Sequence, residues 1–255
     1  MAVEIVTIPC LSDNYAFLVH DDETGATAIV DVPETGPIAR VLGQRGWALS
    51  DILITHHHED HIGGVDALRV ATGARVVGGR ADASRLPALD LAVSDGDRFR
   101  IGSIDVDVFD VSGHTLGHLA FYMPKAAAAF TADSLMAMGC GRLFEGTPAQ
   151  MWASLSKLAT LPPETLICSG HEYTAANARF ALTIEPANAV LVDRARRIEQ
   201  ARAKGEATVP SLLSEELATN PFLRAKAPAV KAALGMADAT DAAVFAEIRG
   251  RKDRF

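Results

Sequence analysis

The sequence predicts a layered α/β domain over residues 1–173, followed by a smaller helical domain over residues 174–255. Two observations predict this division. In the first part, short β-branched apolar runs alternate with helical stretches and are bounded by glycine, proline or aspartate, which is typical of strands layered with helices. In the second part the chain is rich in alanine, arginine and glutamate and contains no convincing strand.

Short apolar runs in the first part are predicted to be strands, because each is bounded by turn residues. They read YAFLVH, TAIVDV, DILITH, ARVVGG, SIDVDVFDV, AAAAFTAD and TLICSGH. Several of them end in histidine or aspartate. Polar side chains with the chemistry of metal ligands are therefore expected directly after predicted strands.

Apolar residues at helical spacing predict helices in both parts. The predicted helices cover residues 37–45, 147–160, 187–204 and 240–249. The second of them opens with Thr147, Pro148 and Gln150, a sequence that combines a capping threonine, a proline in the first turn and a glutamine at the third position. The last follows Thr240, a typical N-cap residue.

Composition and charge exclude several classes of protein. A hydrophobic content of 49% with 22% charged residues is typical of a globular protein. The net charge of -8 argues against binding to nucleic acid. No apolar run reaches the roughly 20 residues that span a bilayer, and no positively charged leader opens the sequence. The three cysteines, Cys10, Cys140 and Cys168, are widely spaced and odd in number, which favours a reduced compartment over a disulfide framework. We therefore expect a cytoplasmic protein. We also expect a monomer that binds no membrane.

The run THHHEDHIGG carries the clearest chemical signal. His56 and His58 stand two positions apart at the end of a predicted strand, so both imidazoles can reach one centre. Asp60 and His61 follow where the chain turns, and neighbouring side chains in such a loop can converge on a second centre. Four ligand-type residues so close together are hard to explain by packing, because burying them without partners costs free energy. The run therefore predicts metal binding.

One run cannot supply every ligand of two metals, because zinc-type sites use three or four ligands each. Further donors follow later strand-like runs: His114 in DVSGHTLGH, Asp133 in AFTADS and His171 in LICSGHEY. A carboxylate has two oxygens and can bridge two cations, so Asp133 is the candidate bridge. Taken singly, each of these residues is more often an ordinary surface or core residue. Spacing alone leaves open which ligand binds which metal.

Eight segments in order resemble the metallo-β-lactamase superfamily and, within it, the hydroxyacylglutathione hydrolases, also called glyoxalase II. They are SDNYAFLV, THHHEDHIGG, GHTLGH, FTADSL, GCGRLFEG, SGHEYT, NPFLR and RGRKDRF. The hallmark of the superfamily is H-x-H-x-D-H. The resemblance implies an αβ/βα sandwich with a smaller helical C-terminal domain that binds the glutathione substrate.

The resemblance also implies two divalent metal ions, with zinc expected and iron or manganese as alternatives. It implies one ion held by His56, His58 and His114, another held by Asp60, His61 and His171, and a bridge through Asp133. Asp60 and Asp133 are the implied catalytic carboxylates. His118 is not a ligand in this pattern and supports the site from behind. His57 and His20 are expected to have structural roles.

A further part of the resemblance concerns the substrate. In the family, an arginine and a lysine three positions apart bind the glycine carboxylate of glutathione, and Arg249 and Lys252 have this spacing. Arg142 and Tyr173 lie at positions that contact the glutathione moiety in relatives. Some relatives have lysine in place of Arg142 and tyrosine in place of Phe144. The first change keeps a cation and the second removes a hydroxyl, so affinity for the peptide part can differ.

The implied reaction is hydrolysis of S-(2-hydroxyacyl)glutathione thioesters, best represented by S-D-lactoylglutathione, to D-lactate and glutathione in methylglyoxal detoxification. A hydroxide bridging the two metals would attack the thioester carbonyl. One alternative is a glutathione-persulfide dioxygenase with a single iron, which the complete second ligand set and the helical extension disfavour. Another is a different hydrolase of the same fold, such as a nuclease or a β-lactamase, which the negative charge and the Arg249 and Lys252 pair disfavour.

Overall fold

The computed structural model describes residues 3–255. The chain forms two compact units. One, here called the N-terminal unit, runs to Val111 and includes Leu116–Ala132. The other, here called the C-terminal unit, consists of Ser112–Thr115 and Asp133–Phe255. Within residues 3–255 the structure contains no helix that is both long and apolar enough to cross a bilayer.

The first sheet of the N-terminal unit has six strands. They are β1 (Val3–Cys10), β2 (Asn14–Asp21), β3 (Thr27–Val30), β4 (Asp51–Leu53), β5 (Arg75–Gly79) and β6 (Leu91–Val93). The spatial order follows the sequence, with β1 to β3 antiparallel and β3 to β6 parallel. Strands β3 to β5 are almost entirely buried and mostly apolar, as expected when helices cover a parallel sheet.

Helices connect these parallel strands and bury one face. They are α1 (Thr35–Arg45), α2 (Glu59–Ile62) and α3 (Val65–Thr72). Ile38 and Leu42 of α1 are buried in the same apolar cluster as Ile29 and Ile52 of the sheet. The helix predicted over residues 37–45 is confirmed, and its apolar face is the one that packs.

The second sheet of the N-terminal unit contains four antiparallel strands. They are β7 (Arg98–Ile101), β8 (Ile104–Asp110), β9 (Leu119–Met123) and β10 (Ala128–Ala132), in the order β10-β9-β8-β7. Single turns of 3₁₀ helix occupy Arg80–Asp82 and Pro124–Ala126. Strand β8 alternates buried and more exposed residues along its length, which is the pattern of a strand with one covered face.

The C-terminal unit is mainly helical. Its strands are β11 (Leu135–Met136), β12 (Gly139–Cys140), β13 (Leu166–Ser169) and β14 (Ser211–Leu212), and its helices are α4 (Pro148–Leu158), α5 (Thr174–Ile184), α6 (Ala189–Ala203), α7 (Leu213–Thr219), α8 (Pro228–Ala233) and α9 (Asp241–Asp253). Strands β11 and β12 form a short hairpin, and β13 pairs with β14.

All of the quoted apolar runs contain a strand, and the helix-start signature is confirmed. The Thr147 hydroxyl accepts a hydrogen bond from the Gln150 amide at 3.2 Å, and the Thr147 amide donates to Gln150 Oε1 at 2.8 Å. The Thr240 hydroxyl caps α9 in the same way, accepting from the Ala243 amide at 3.3 Å. The expectation of no strand after residue 174 is wrong, because Ser211 and Leu212 pair with β13.

Asp21, at the end of β2, is a buried carboxylate that ties the two sheets of the N-terminal unit together. It accepts hydrogen bonds from the Thr24 hydroxyl at 2.6 Å and from the amide and hydroxyl of Ser103, in the β7–β8 turn, at 2.7 Å each. Burial by itself raises the pKa of the Asp21 carboxyl, but these hydrogen bonds outweigh it and hold the pKa well below its usual range. Asp21 is therefore ionised in the folded protein at neutral pH.

We expect Asp21→Ala to lower the free energy of unfolding by about 3 kcal/mol at neutral pH, because buried donors lose a charged acceptor. The folded pKa lies below the unfolded value of about 3.9. This stabilisation is therefore fully present above that pH and is lost as the pH falls through the folded pKa. Denaturant titrations over a pH series measure the difference. The exposed neighbour gives the control Asp22→Ala, which should stay within about 0.5 kcal/mol of wild type. Equal stability of Asp21→Ala and wild type at neutral pH would contradict the assignment.

Candidate metal centre

Two predicted ligands lie in the segment between β4 and α2. His56 is fully buried and His58 is half-buried. His56 Nε2 and His58 Nδ1 are 3.1 Å apart. The strand itself ends at Leu53, and His58 has an extended backbone with φ -64° and ψ 140°. The two imidazoles therefore lie close together in space, as predicted from their spacing of two residues, although neither residue belongs to the strand.

Asp60 and His61 lie in the single-turn helix α2, so the prediction of a loop at this point is wrong. Acidic residues in the first turn of a helix are stabilised by its N-terminal dipole, and Glu59 and Asp60 occupy that turn. Asp60 Oδ2 is 3.7 Å from His61 Nε2. His61 is fully buried, whereas the Asp60 side chain is partly exposed.

Asp31, which is not among the predicted site residues, orients His61. It follows β3 with a left-handed backbone, φ 58°. Its carboxylate accepts hydrogen bonds from the Thr55 amide at 2.9 Å and the Thr55 hydroxyl at 2.8 Å, and Oδ2 lies 2.8 Å from His61 Nδ1. A carboxylate at Nδ1 keeps the proton there and leaves Nε2 available to a metal. The available signal was an aspartate directly after the predicted strand in TAIVDV.

Asn14, the first residue of β2, holds Asp60. Its side-chain amide donates to the backbone oxygen of Asp60 and to Asp60 Oδ2, both at 3.0 Å. Asn14 is buried although it is polar. The bond to Oδ2 fixes the orientation of the Asp60 carboxylate, which is the role expected of a residue just behind a metal ligand.

The remaining histidines of the N-terminal unit have partners consistent with the roles predicted for them. His57 Nδ1 lies 2.9 Å from the buried carboxylate of Asp82. His20 stacks on Trp47 with ring centres 4.1 Å apart. His118 is fully buried, and its ring stacks on that of His56 at 4.5 Å.

In the C-terminal unit, Asp133 lies between two predicted histidine ligands. Asp133 Oδ2 is 3.4 Å from His114 Nε2 and 3.4 Å from His171 Nε2. All three residues are buried. A carboxylate oxygen flanked by two imidazole nitrogens is the arrangement expected of a bridging ligand. Imidazole nitrogens and carboxylate oxygens are the donors that zinc, iron and manganese accept, so these residues fit divalent cations.

Backbone groups complete the environment of His114. His114 Nδ1 donates to the Arg142 carbonyl oxygen at 2.7 Å, which leaves Nε2 without the ring proton. Gly141 packs against the same ring: a Cβ at this position would collide with the carbonyl oxygen of Asp133 and come within 3.0 Å of His114 Nδ1. Only glycine therefore fits between these two predicted ligands.

Predicted substrate-binding residues also lie in the C-terminal unit. Tyr173 stacks on His171 with ring centres 4.7 Å apart and remains partly exposed. The Lys252 ammonium lies 5.2 Å from the ring centres of both Phe180 and Phe255. Burial and the nearby positive charge of Arg249 lower the pKa of Lys252. Binding of an anion beside Lys252 would offset this unfavourable environment.

Arg249 is buried and donates to the carbonyl oxygen of Cys140 at 3.1 Å. The guanidinium also lies 5.2 Å from the ring centre of Phe222. Burial raises the pKa of the Cys140 thiol to about 11. At neutral pH this thiol stays protonated, so Cys140 supplies a carbonyl oxygen here and no nucleophile.

Comparisons with known proteins decide the family. Residues 12–171 match the family model of the metallo-beta-lactamase superfamily, and residues 172–255 match that of the hydroxyacylglutathione hydrolase C-terminus. A hydroxyacylglutathione hydrolase of Cereibacter sphaeroides is 66% identical over 255 residues, covering 100% of both chains. Another, from Ruegeria pomeroyi, is 63% identical with the same coverage. The chain belongs to the hydroxyacylglutathione hydrolase family.

Solved structures share the fold. ETHE1 from Myxococcus xanthus has a TM-score of 0.69 and 26% identity, covering 98% of this chain and 90% of that one. TTHA1623, solved in a di-iron-bound form, has a TM-score of 0.57 and 29% identity, covering 66% of this chain and 91% of that one. The predicted metallo-β-lactamase fold with a C-terminal hydroxyacylglutathione hydrolase domain is confirmed.

We expect Asp31→Asn to weaken binding of the metal ion predicted at His61 by about 10- to 100-fold, because a neutral amide oxygen is a weaker acceptor for the Nδ1 proton than a carboxylate. Metal content after dialysis against a graded series of chelator concentrations measures this directly. The matched control is Asp66→Asn, an exposed aspartate in the first turn of α3. Identical chelator curves for Asp31→Asn and wild type would show that Asp31 does not support His61.

Proposed function

We propose that this protein hydrolyses S-(2-hydroxyacyl)glutathione thioesters, with S-D-lactoylglutathione as the best substrate, to glutathione and the hydroxy acid. The observation that carries the proposal is 66% identity over all of both chains to a protein named hydroxyacylglutathione hydrolase. The arrangement of Asp133 between His114 and His171 supports a hydrolytic metal centre. The product D-lactate fits a role in methylglyoxal detoxification, and the free cysteines favour a cytoplasmic location, where we propose that the protein acts as a monomer.

Two divalent cations would be held by seven residues. In the proposed set, His56, His58 and His114 bind one ion, Asp60, His61 and His171 bind the other, and Asp133 bridges them. Each unit contributes part of this set with suitable local geometry: the His56 and His58 pair in one, and the Asp133 carboxylate with its two imidazoles in the other. The di-iron form of TTHA1623 supports two ions. We propose zinc, with iron or manganese as alternatives that suit the same donors.

Such a pair of cations, when bound, lowers the pKa of a shared water toward about 7 and polarises the thioester carbonyl. The protein supplies the orientation. Asp31 holds the His61 ring, the Arg142 carbonyl holds the His114 ring, and Asn14 holds the Asp60 carboxylate. The leaving thiol has an ordinary pKa of about 8.5, so the departing thiolate needs no strong general acid.

Charge also suits an anionic substrate. Two +2 ions against the carboxylates of Asp60 and Asp133 would leave a formal +2 at the centre, within a chain of net charge -8. We propose residues 174–255 as the glutathione-binding domain, following the domain at residues 1–173. Lys252 and Arg249 would bind the glycine carboxylate. Arg142 and Tyr173 would contact the glutathione moiety.

The deciding experiment is a thioester-cleavage assay on metal-replete protein that follows the loss of S-D-lactoylglutathione. We expect turnover that depends on divalent metal. The absence of turnover with zinc, iron and manganese alike would reject the proposed reaction. Oxygen uptake with glutathione persulfide at a rate above thioester turnover would instead favour a dioxygenase.

Asp133→Ala tests the bridge in the same preparation. Removing a carboxylate that lies against both His114 and His171 should reduce bound metal below two equivalents and abolish turnover. Metal analysis is the independent measurement. Two retained equivalents in Asp133→Ala would rule out the bridging role.

We expect Lys252→Ala to raise KM for S-D-lactoylglutathione about tenfold with a smaller effect on kcat, because one charge-assisted hydrogen bond to a remote carboxylate contributes to binding in both ground and transition states. Steady-state kinetics on metal-replete protein measures both constants. Arg251→Ala is the matched control: it removes an exposed cation from the same helix, one paired with Glu247. An unchanged KM in Lys252→Ala would remove Lys252 from the binding site.

A further inference from the structure

The carboxylate of Asp253 occupies the guanidinium donors that are proposed to bind the substrate carboxylate. Asp253 is the last residue of α9, one turn after Arg249. Arg249 Nε and Nη2 donate to Asp253 Oδ1 at 3.1 and 2.8 Å. Arg142 Nε lies 3.7 Å from the same oxygen. Two of the cations predicted to contact glutathione therefore converge on one carboxylate of the protein itself.

Each nitrogen of the Arg249 guanidinium already donates a hydrogen bond. Its remaining nitrogen, Nη1, donates to the carbonyl oxygen of Cys140 at 3.1 Å, and only 8% of the side chain is exposed. A carboxylate ligand that pairs with the Nε and Nη2 edge of this guanidinium must displace Asp253 Oδ1 or share its donors. Carboxylate and guanidinium pair through the same planar, two-pronged geometry whether the acid is a side chain or a peptide terminus.

Asp253 is well placed to be displaced. Its side chain is 36% exposed, in contrast to the buried Arg249. Within residues 3–255, all of its polar side-chain contacts involve Oδ1, with Arg249 and Arg142. A substrate carboxylate would take the place of Asp253 at the buried Arg249, so the exchange leaves no buried charge without a partner. Arg249 itself stays fixed by Cys140 and Phe222 during such an exchange.

We propose that Asp253 is a specificity-determining residue: its carboxylate fills the glycine-carboxylate site and is displaced by the substrate. The proposal rests on the proposed function and deepens it. A ligand that carries a carboxylate replaces one anion with another at Arg249 and Arg142. A ligand that lacks this carboxylate cannot replace Asp253 as the anionic partner of these cations, so it binds without displacing Asp253. Asp253 thus restricts access to Arg249 to ligands that carry a carboxylate.

The test is Asp253→Asn, which keeps the shape of the side chain and removes its charge. KM for S-D-lactoylglutathione should fall about two- to fivefold, the range expected when one partly exposed ion pair no longer competes. With the lactoyl thioester of glutathione glycinamide, which lacks the carboxylate, KM should be the same in variant and wild type. Calorimetric titration of metal-replete protein with S-methylglutathione, a non-hydrolysable probe, should show the same two- to fivefold tighter binding.

Glu247→Gln is the matched control. Glu247 lies on α9, pairs with Arg251 four positions later at 2.8 Å, and has 38% of its side chain exposed. This variant removes the same charge in a similar pair and should leave both KM values unchanged.

Three results would overturn the proposal. A higher KM in Asp253→Asn would mean that Asp253 positions Arg249 for the substrate, and an equal fall in KM with the glycinamide thioester would mean a general charge effect. An unchanged KM with both thioesters would mean that Asp253 does not compete. All three require that wild-type protein hydrolyses S-D-lactoylglutathione, so they are distinct from failure of the proposed function, in which wild type shows no turnover.

Discussion

The buried ion pair between Glu216 of α7 and Arg194 of α6 is the contact on which the C-terminal unit depends. Both side chains are almost inaccessible to solvent. A buried charge that lacks a partner destabilises a protein by several kcal/mol, so the pair is tolerable only because its other hydrogen bonds are made. Glu216 also accepts from the Ser211 hydroxyl at 2.7 Å and from the Met138 amide at 2.8 Å, and Arg194 donates to the Thr219 hydroxyl at 2.7 Å.

The hairpin of β11 and β12 is shaped by this network. Met138, at its turn, has a left-handed backbone with φ 60°, and its amide is held by Glu216. Asn220, which donates to Glu216, also donates to the carbonyl oxygens of Met136 and Gly139 at 3.1 and 2.9 Å. The strand that leaves the hairpin presents the Cys140 carbonyl oxygen to Arg249. By holding this hairpin, the buried Glu216 carboxylate helps to position the Cys140 carbonyl oxygen that binds Arg249.

Local pattern predicted much of the fold, because a buried strand needs a short apolar run, and it singled out the candidate ligands because they follow such runs. Asp31 and Asn14 escaped prediction for the opposite reason. They act on His61 and Asp60, which lie 30 and 46 positions away in the sequence, and a single sequence carries no record of such distant pairs. Strand β14 is similar: two residues are too few for a periodic signal, and its pairing with β13 depends on tertiary contacts.

Arg142 contacts both a predicted metal ligand and the proposed carboxylate site of the C-terminal unit. Its carbonyl oxygen orients His114, whereas its guanidinium, 60% exposed, lies near Asp253. A lysine at this position, as in some relatives, keeps both the carbonyl oxygen and a positive charge, so it leaves the orientation of His114 intact. The lysine lacks the planar, two-pronged guanidinium with which an arginine pairs with a carboxylate. Under the proposed function, variation at Arg142 would change recognition of the anionic peptide, whereas the backbone would keep the orientation of His114.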